Sequence, residues 1–210
     1  MKIVVFGASG KTGALIVEQA LDAGHIVVAY IRTAGTLKLQ HANLKICIGN
    51  LNEYLRMRDA LQGADVVISA LGGQSLTQHA FEFIEGINLI LHAMEQLKIE
   101  RFIYLSSIGA GESRKFMCPI SRIFVADLIL RIPLADHSIN EKRISRSPLK
   151  WTLIRPGGLT EGPISKNINF GNEKASLPCN LTISRSSVAS FILQQITNTK
   201  YINKAVWLYV

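Results

Sequence analysis

Met1-Lys-Ile-Val-Val-Phe-Gly-Ala-Ser-Gly-Lys-Thr-Gly-Ala-Leu-Ile-Val-Glu-Gln-Ala-Leu-Asp-Ala-Gly24 is the stretch from which the fold can be read. Ile3 to Phe6 is a continuous apolar run, too short for a helix and closed by Gly7, which is how a strand buried on both faces of a parallel sheet reads. From Ala14 the apolar residues take helical spacing, with Ala14, Val17 and Leu21 on one face and Gly24 as the C-terminal stop. Gly7, Gly10 and Gly13 therefore span one strand-to-helix turn. The free N–H groups and positive dipole end of the helix suit a phosphate. Gly7 permits the sharp turn, Gly10 lets a pyrophosphate approach the backbone, and Gly13 lets the helix pack closely on the strand. The turn Gly7-Ala8-Ser9-Gly10-Lys11-Thr12-Gly13 thus reads as a dinucleotide site, although its G-x-x-G-x-x-G spacing differs from G-x-G-x-x-G. A nucleoside-triphosphate loop ending in Gly10-Lys11-Thr12 would need a glycine where Val5 stands. A ligand-free packing turn rarely needs all three glycines.

Beyond Gly24, residues 25–31 read as a second buried strand that closes on Arg32. In NAD-binding sequences an acidic residue about 20 positions past the glycines holds the ribose 2′-hydroxyl, whereas an arginine accommodates a 2′-phosphate. Between Asp22 and Glu53 there is no carboxylate, and Arg32 stands where the acid is expected, with Lys38 as an assisting cation. NADP is therefore expected over NAD; the alternative is a solvated loop arginine. Residues 44–48 form a third strand ending at Gly49-Asn50, 53–61 a helix, and 66–71 a fourth strand closed by Gly72-Gly73. This alternation predicts a doubly wound α/β fold, a mainly parallel sheet with helices on both faces and ligands at the C-terminal strand ends. Asn50, Leu51, Ala70, Leu71 and Gly72 should then share one crevice with the glycine turn and Arg32.

A helix is expected over 77–98, where Ala80, Ile84, Ile87, Leu91 and Met94 recur at gaps of four and three; it is a core helix first and a dimer helix second. His79 and His92 lack metal-pair spacing and read as surface or packing residues. A fifth strand over 101–105 delivers Ser106 and Ser107 to the ligand edge, where two hydroxyls suit either a nicotinamide ribose or substrate carbonyl, or a turn cap. The apolar stretch 116–134 carries Arg122, Asp127 and Arg131 in its middle and prolines near its ends, which argues against a membrane span. It reads as a helical flap over a hydrophobic substrate, with peripheral membrane contact as the second reading. Residues 136–147 look like a basic, polar-faced helix, and 151–154 a sixth strand followed by Pro156-Gly157-Gly158 at the ligand edge. Residues 164–183 are loop-rich and expected to cover part of the crevice over the substrate, Ser186 or Ser187 caps a last helix through Gln195, and 205–209 form a final strand at an edge of the sheet.

The length of 210 residues, at 48% hydrophobic and 18% charged, supports one domain over 1–210. The net charge of +8 points to anionic partners. No block of five like charges, aromatic-basic repeat or nucleic-acid motif occurs, so nucleic acid is not the expected partner. Cys47, Cys118 and Cys179 are odd in number and lack metal-ligand spacing, which fits a reduced cytoplasm. Met1 is followed almost at once by a core strand, so no secretory leader is expected.

Four stretches in order, Gly7-Ala-Ser-Gly-Lys-Thr-Gly13, Tyr104-Leu-Ser-Ser-Ile-Gly109, Trp151-Thr-Leu-Ile-Arg-Pro-Gly157 and Ile183-Ser-Arg-Ser-Ser-Val-Ala189, resemble the NAD(P)H-binding, NmrA-like branch of the atypical short-chain dehydrogenase/reductases, which includes flavin and biliverdin-IXβ reductases. The resemblance implies a Rossmann fold, NADP in the crevice and a small substrate above the nicotinamide, with Ser107, His137 and the backbone of Pro156 to Gly158 lining that end. The chain departs from ketone-reducing members in having no Tyr-x-x-x-Lys pair; measured back from Glu141, the lysine position holds His137 and the tyrosine position Pro133. Asn50 stands where many relatives carry an aspartate. The expectation is an NADPH-dependent reductase of a conjugated acceptor (flavin, quinone or tetrapyrrole), acting as monomer or homodimer. Solvent or His137 would supply the proton, His137 as a plain helix-surface residue being the other reading. The alternative function is an NADP-binding sensor without turnover; epimerase chemistry on a nucleotide sugar suffers from the short chain and the missing pair.

Overall fold

Along β1 (Lys2–Phe6) successive side chains point to opposite faces. Ile3 and Val5 enter one hydrophobic cluster and Val4 and Phe6 another, so the strand needs cover on both sides. The computed structural model, which describes residues 1–73, 75–171 and 176–210, supplies that cover in three layers. On one face lie α1 (Lys11–Asp22) and a helix near the C-terminus, Arg185–Gln194, packed through Ile16, Val17, Val188 and Ile192. On the other lie α2 (Tyr54–Leu61), α3 (Phe81–Gln96) and the last turn of a helix over Arg131–Ile144, packed through Met57, Leu61, Ile87, Met94 and Ile144.

Between these layers β2 (Ile26–Ile31), β3 (Leu44–Ile48), β4 (Val66–Ser69), β5 (Arg101–Leu105) and β6 (Lys150–Pro156) run parallel to β1. Three short strands follow, β7 (Gly158–Thr160), β8 (Asn169–Gly171) and β9 (Thr182–Ser184), and then β10 (Lys204–Tyr209). The sheet order is β3-β2-β1-β4-β5-β6-β10-β8, with β7 and β9 a separate parallel pair. This is the expected doubly wound Rossmann-type α/β fold. Its strand order reverses between β1 and β4, where Phe6 pairs with Ser69, and that switch point opens a crevice at the strand ends.

Several local expectations are corrected. The final strand is not at an edge: β8 pairs antiparallel with β10 and covers it. The helix expected from residue 77 starts at Phe81, because Ser75 Oγ accepts the N–H groups of Thr77 and Gln78 and turns that segment into a loop. The cap of α6 (Arg185–Gln194) is Ser184, whose hydroxyl accepts from the Ser187 N–H. The polar helix begins earlier, at Arg131; α5 (Arg131–Ile144) admits Pro133 in its first turn, where a missing N–H costs nothing. Nor is it polar only outward: Asp136, Asn140 and Glu141 are buried.

The flap is a 3-10 turn over Gly111–Phe116, α4 (Pro119–Ser121) and a π-helix over Arg122–Ile129. It is anchored through Met117 and Ala126, which join Ile108, Leu134, Leu177 and Trp207 in a third cluster. Its remaining apolar side chains, Ile120, Ile123, Phe124, Val125, Leu128 and Ile129, are exposed, and none of them lines the crevice at the switch point. Cys118 and Cys179 form a disulfide and Cys47 is free, so the expectation of three reduced thiols is corrected: two loops bring the pair to a Cα separation of 5.0 Å. No helix among the described residues is long and apolar enough to cross a membrane.

Candidate nucleotide-binding cleft

The glycine turn is built by steric exclusion. Gly7 adopts φ +74°, and a Cβ there would lie 2.7 Å from the Ala70 carbonyl oxygen, across the switch point. At Gly13 a Cβ would stand 2.0 Å from the Gly7 oxygen, so any side chain would force α1 off β1. Gly10 is different in kind: its nearest neighbour would be the Gly7 oxygen at 3.2 Å, leaving the outer side of its α-carbon open. The Gly10 N–H closes the turn on the Gly7 carbonyl at 3.0 Å. No side chain caps α1, which leaves the N–H groups of its first turn for an anion.

The turn opens into a cleft of about 760 Å³ at the switch point, a volume in the range of small-molecule sites. Of the expected residues, Gly7, Ser9, Gly10, Arg32, Asn50, Leu51, Ala70, Leu71 and Gly72 line it together. Arg32 is exposed at the end of β2 beside Thr33 and makes no ion pair among the described residues. Lys38 does not line the cleft. Asn50 is held by Tyr30, whose hydroxyl donates to its carbonyl at 2.9 Å, and burial pushes that phenol up to about 12, so it stays a donor. Leu51 sits where it does because α3 presents Gly86 to it: a Cβ there would come within 2.8 Å of the leucine side chain. Ala8, Thr12 and Gly13 are buried in the turn rather than on the wall, and Lys11 reaches outward to Glu161 at 3.2 Å.

Ser106, Ser107, His137, Pro156, Gly157 and Gly158 do not line this cleft. The Ser106 hydroxyl donates to Glu141 Oε1 at 2.6 Å, within a buried pair in which Arg155 Nη2 meets Glu141 Oε2 at 2.7 Å. Ser107 donates to the Ile108 carbonyl at 3.1 Å, a turn contact. The N–H groups of Gly157 and Gly158 go to the carbonyls of Leu208 and Leu181, at 2.9 and 2.8 Å.

His137 meets the Tyr104 hydroxyl through Nδ1 at 2.8 Å. Asn140 donates to the same hydroxyl at 3.3 Å, so the phenol oxygen accepts there, and the tautomer of the imidazole sets which of Tyr104 and His137 donates to the other. Loss of solvent lowers His137 to about 4, against the opposing charges of Glu141 and Asp136, and burial raises Tyr104 well above its usual range; both are neutral near pH 7. Phe83, which lines the cleft, stands edge-on to the His137 ring at 5.3 Å. Asp136 accepts from the Ala80 N–H at 2.9 Å and bonds His79, fastening the mouth of the cleft to α5.

Sequence reasoning missed Tyr30, Tyr104, Asp136 and Asn140. The signal for the last two was present: residues 136, 137, 140 and 141 recur on one helical face, all polar, a pattern that demands buried partners. Among the described residues no cluster of His, Cys, Asp or Glu is placed to hold a metal.

A family model described as NAD(P)H-binding matches residues 7–199. The chain is 28% identical to the photosystem II assembly factor Ycf39 of Synechocystis sp. over 171 residues, 79% of this chain but only 47% of that protein, so it spans about half the length of that relative. Among solved structures it resembles a short-chain dehydrogenase/reductase of Veillonella parvula in complex with NADP (TM-score 0.85, 16% identity, 100% of this chain and 94% of that one). It also resembles the anaerobillin reductase ChuY of Escherichia coli (TM-score 0.83, 23% identity, 100% and 97%). At these identities the two structures speak for the fold.

Proposed function

The chain belongs to the NAD(P)H-binding family, and from that premise we propose that it is an NADPH-dependent reductase of a small conjugated acceptor of flavin, quinone or tetrapyrrole type. The observation that carries the proposal is the glycine turn whose Cβ positions are closed on the protein side and open at Gly10, leading into a cleft that ends at Arg32. Main-chain N–H groups of α1 would hold the pyrophosphate, and the guanidinium of Arg32 with the Thr33 hydroxyl would hold the 2′-phosphate. When bound, the reduced nicotinamide supplies the hydride. The chain's own part is to bind, orient and exclude water. Its phenol and imidazole are tied to each other, Tyr104 to His137, and no Tyr-x-x-x-Lys acid pair exists. An acceptor whose conjugation stabilises the added electron pair needs no strong protein acid, and solvent can supply the proton. The likeness to an anaerobillin reductase agrees with a tetrapyrrole-sized acceptor.

NADPH mixed with the protein and a panel of flavin, quinone and biliverdin should lose its reduced-nicotinamide absorbance with at least one acceptor. Tight NADPH binding without oxidation by any acceptor would favour the second reading, a nucleotide-responsive regulatory protein. That reading has its own support in the committed Tyr104–His137 pair and in a relative named as an assembly factor.

Cofactor choice has a separate test. Arg32→Glu should weaken NADPH about tenfold to a hundredfold, the worth of one or two charge-assisted hydrogen bonds, and shift preference toward NADH. Unchanged discrimination in competition titrations would remove Arg32 from the 2′-phosphate site.

A further inference from the structure

We propose that the π-helical flap is a docking surface for an anionic lipid bilayer. Six apolar side chains crowd into ten residues with their faces to solvent: Ile120 at 65% exposure, Ile123 at 50%, Phe124 at 59%, Val125 at 40%, Leu128 at 69% and Ile129 at 55%. Soluble proteins rarely expose so dense an apolar group without something to cover it. The spacing from 120 to 124 to 128 keeps one long face outward across α4 and the π-helix, whose turn takes more residues than an α-turn. That face is not a frayed end. Ala126 and Met117 bury the opposite side, the Ser121 hydroxyl donates to the Cys179 carbonyl at 2.6 Å, and the Cys118–Cys179 disulfide fastens the segment to the 176–181 loop.

Charge selects the occupant. Lys115 and Arg131 flank the apolar stretch, Arg122 lies within it between Ile120 and Ile123, Arg114 is paired with Asp127, and none of the first three makes an ion pair among the described residues. An apolar stripe fringed by cations is the pattern of an element that lies in a membrane interface, apolar side chains among the acyl chains and cations at the headgroup phosphates. A second copy of this chain would bring the same cations face to face, on a protein already at +8. A small acceptor could not cover ten residues. The flap joins the end of β5 to α5, the helix that carries His137. The inference rests on the exposed face alone and stands whether or not the protein oxidises NADPH.

Sedimentation with vesicles tests it. The whole protein should pellet with phosphatidylcholine vesicles containing phosphatidylserine, several-fold less with phosphatidylcholine alone, and less in high salt. Phe124→Ser/Leu128→Ser should lower the partition coefficient at least about tenfold. Lys115→Glu/Arg131→Glu should do so about tenfold or more on the anionic vesicles only. The four replaced side chains are exposed, so thermal melting should be unchanged, and the charge pair tests the idea independently of the apolar pair. No pelleting of the unmodified protein, or equal pelleting of Phe124→Ser/Leu128→Ser, would overturn the proposal. So would a solution dimer that this variant converts to a monomer, because the face would then belong to a second copy.

Discussion

Glu141→Ala is expected to destabilise the protein by about 3–5 kcal/mol, the cost of leaving one member of a buried ion pair uncompensated. Arg155 and Glu141 are 4% and 5% exposed at the side chain, and the carboxylate takes Arg155 Nε at 2.9 Å, Nη2 at 2.7 Å and the Ser106 hydroxyl at 2.6 Å. Arg155 Nη1 already lacks a partner among the described residues, so after the substitution the whole guanidinium would be buried without a counter-charge. With a denaturant slope of about 2 kcal/mol/M in urea, the unfolding midpoint should fall by about 1.5–2.5 M. Replacing both partners by apolar side chains, as in Glu141→Leu/Arg155→Met, should recover more than half of the loss, because the penalty comes from the orphaned charge. A single variant that unfolds like the parent would show that the pair is not closed from water.

Gly13→Ala should abolish measurable nucleotide binding while the rest of the domain survives in weakened form. The added methyl would sit 2.0 Å from the Gly7 oxygen and 2.8 Å from its carbonyl carbon, both main-chain atoms, and Gly7 cannot retreat because Ala70 already limits it. The start of α1 must therefore move outward, at about 1–3 kcal/mol of overpacking strain. The first-turn N–H groups move with it. Losing one or two of their bonds to a charged phosphate lowers affinity about a hundredfold or more. Fluorescence titration with NADPH reads the affinity and a melting curve the strain; parental values in both would mean that this turn does not hold the pyrophosphate. Gly10→Ala makes the natural contrast, since its methyl meets the Gly7 oxygen at 3.2 Å and should spare the fold while obstructing the ligand.

The strand-helix alternation and the turn were legible because each rests on local rules. Apolar runs such as Ile3 to Phe6 must be covered on both faces, and Gly7 and Gly13 are required by main-chain contacts whose partners lie in the same βαβ unit or the next strand. Arg32, Asn50 and Leu71 follow, because parallel topology alone brings strand ends together. What the sequence left hidden depends on long-range pairing. Ser106 looks like a ligand hydroxyl until Glu141, 35 residues on, is seen to accept its proton. His137 looks titratable near neutrality until Tyr104 and the surrounding side chains take away its water. The flap's apolar run signals a helix against something, but not which side of it meets the protein. The disulfide was equally out of reach, since proximity of Cys118 and Cys179 is a property of two folded loops.

Leu51 is held at the rim of the cleft by a helix surface that is bare at one point, Gly86. The gauge of the pocket is therefore governed from its rear: a position with no access to a nucleotide decides how much room the nucleotide has. Any bulk added on that hidden side would be transmitted through a single leucine, so relatives with a narrower or wider slot need not differ in a residue that touches the bound molecule.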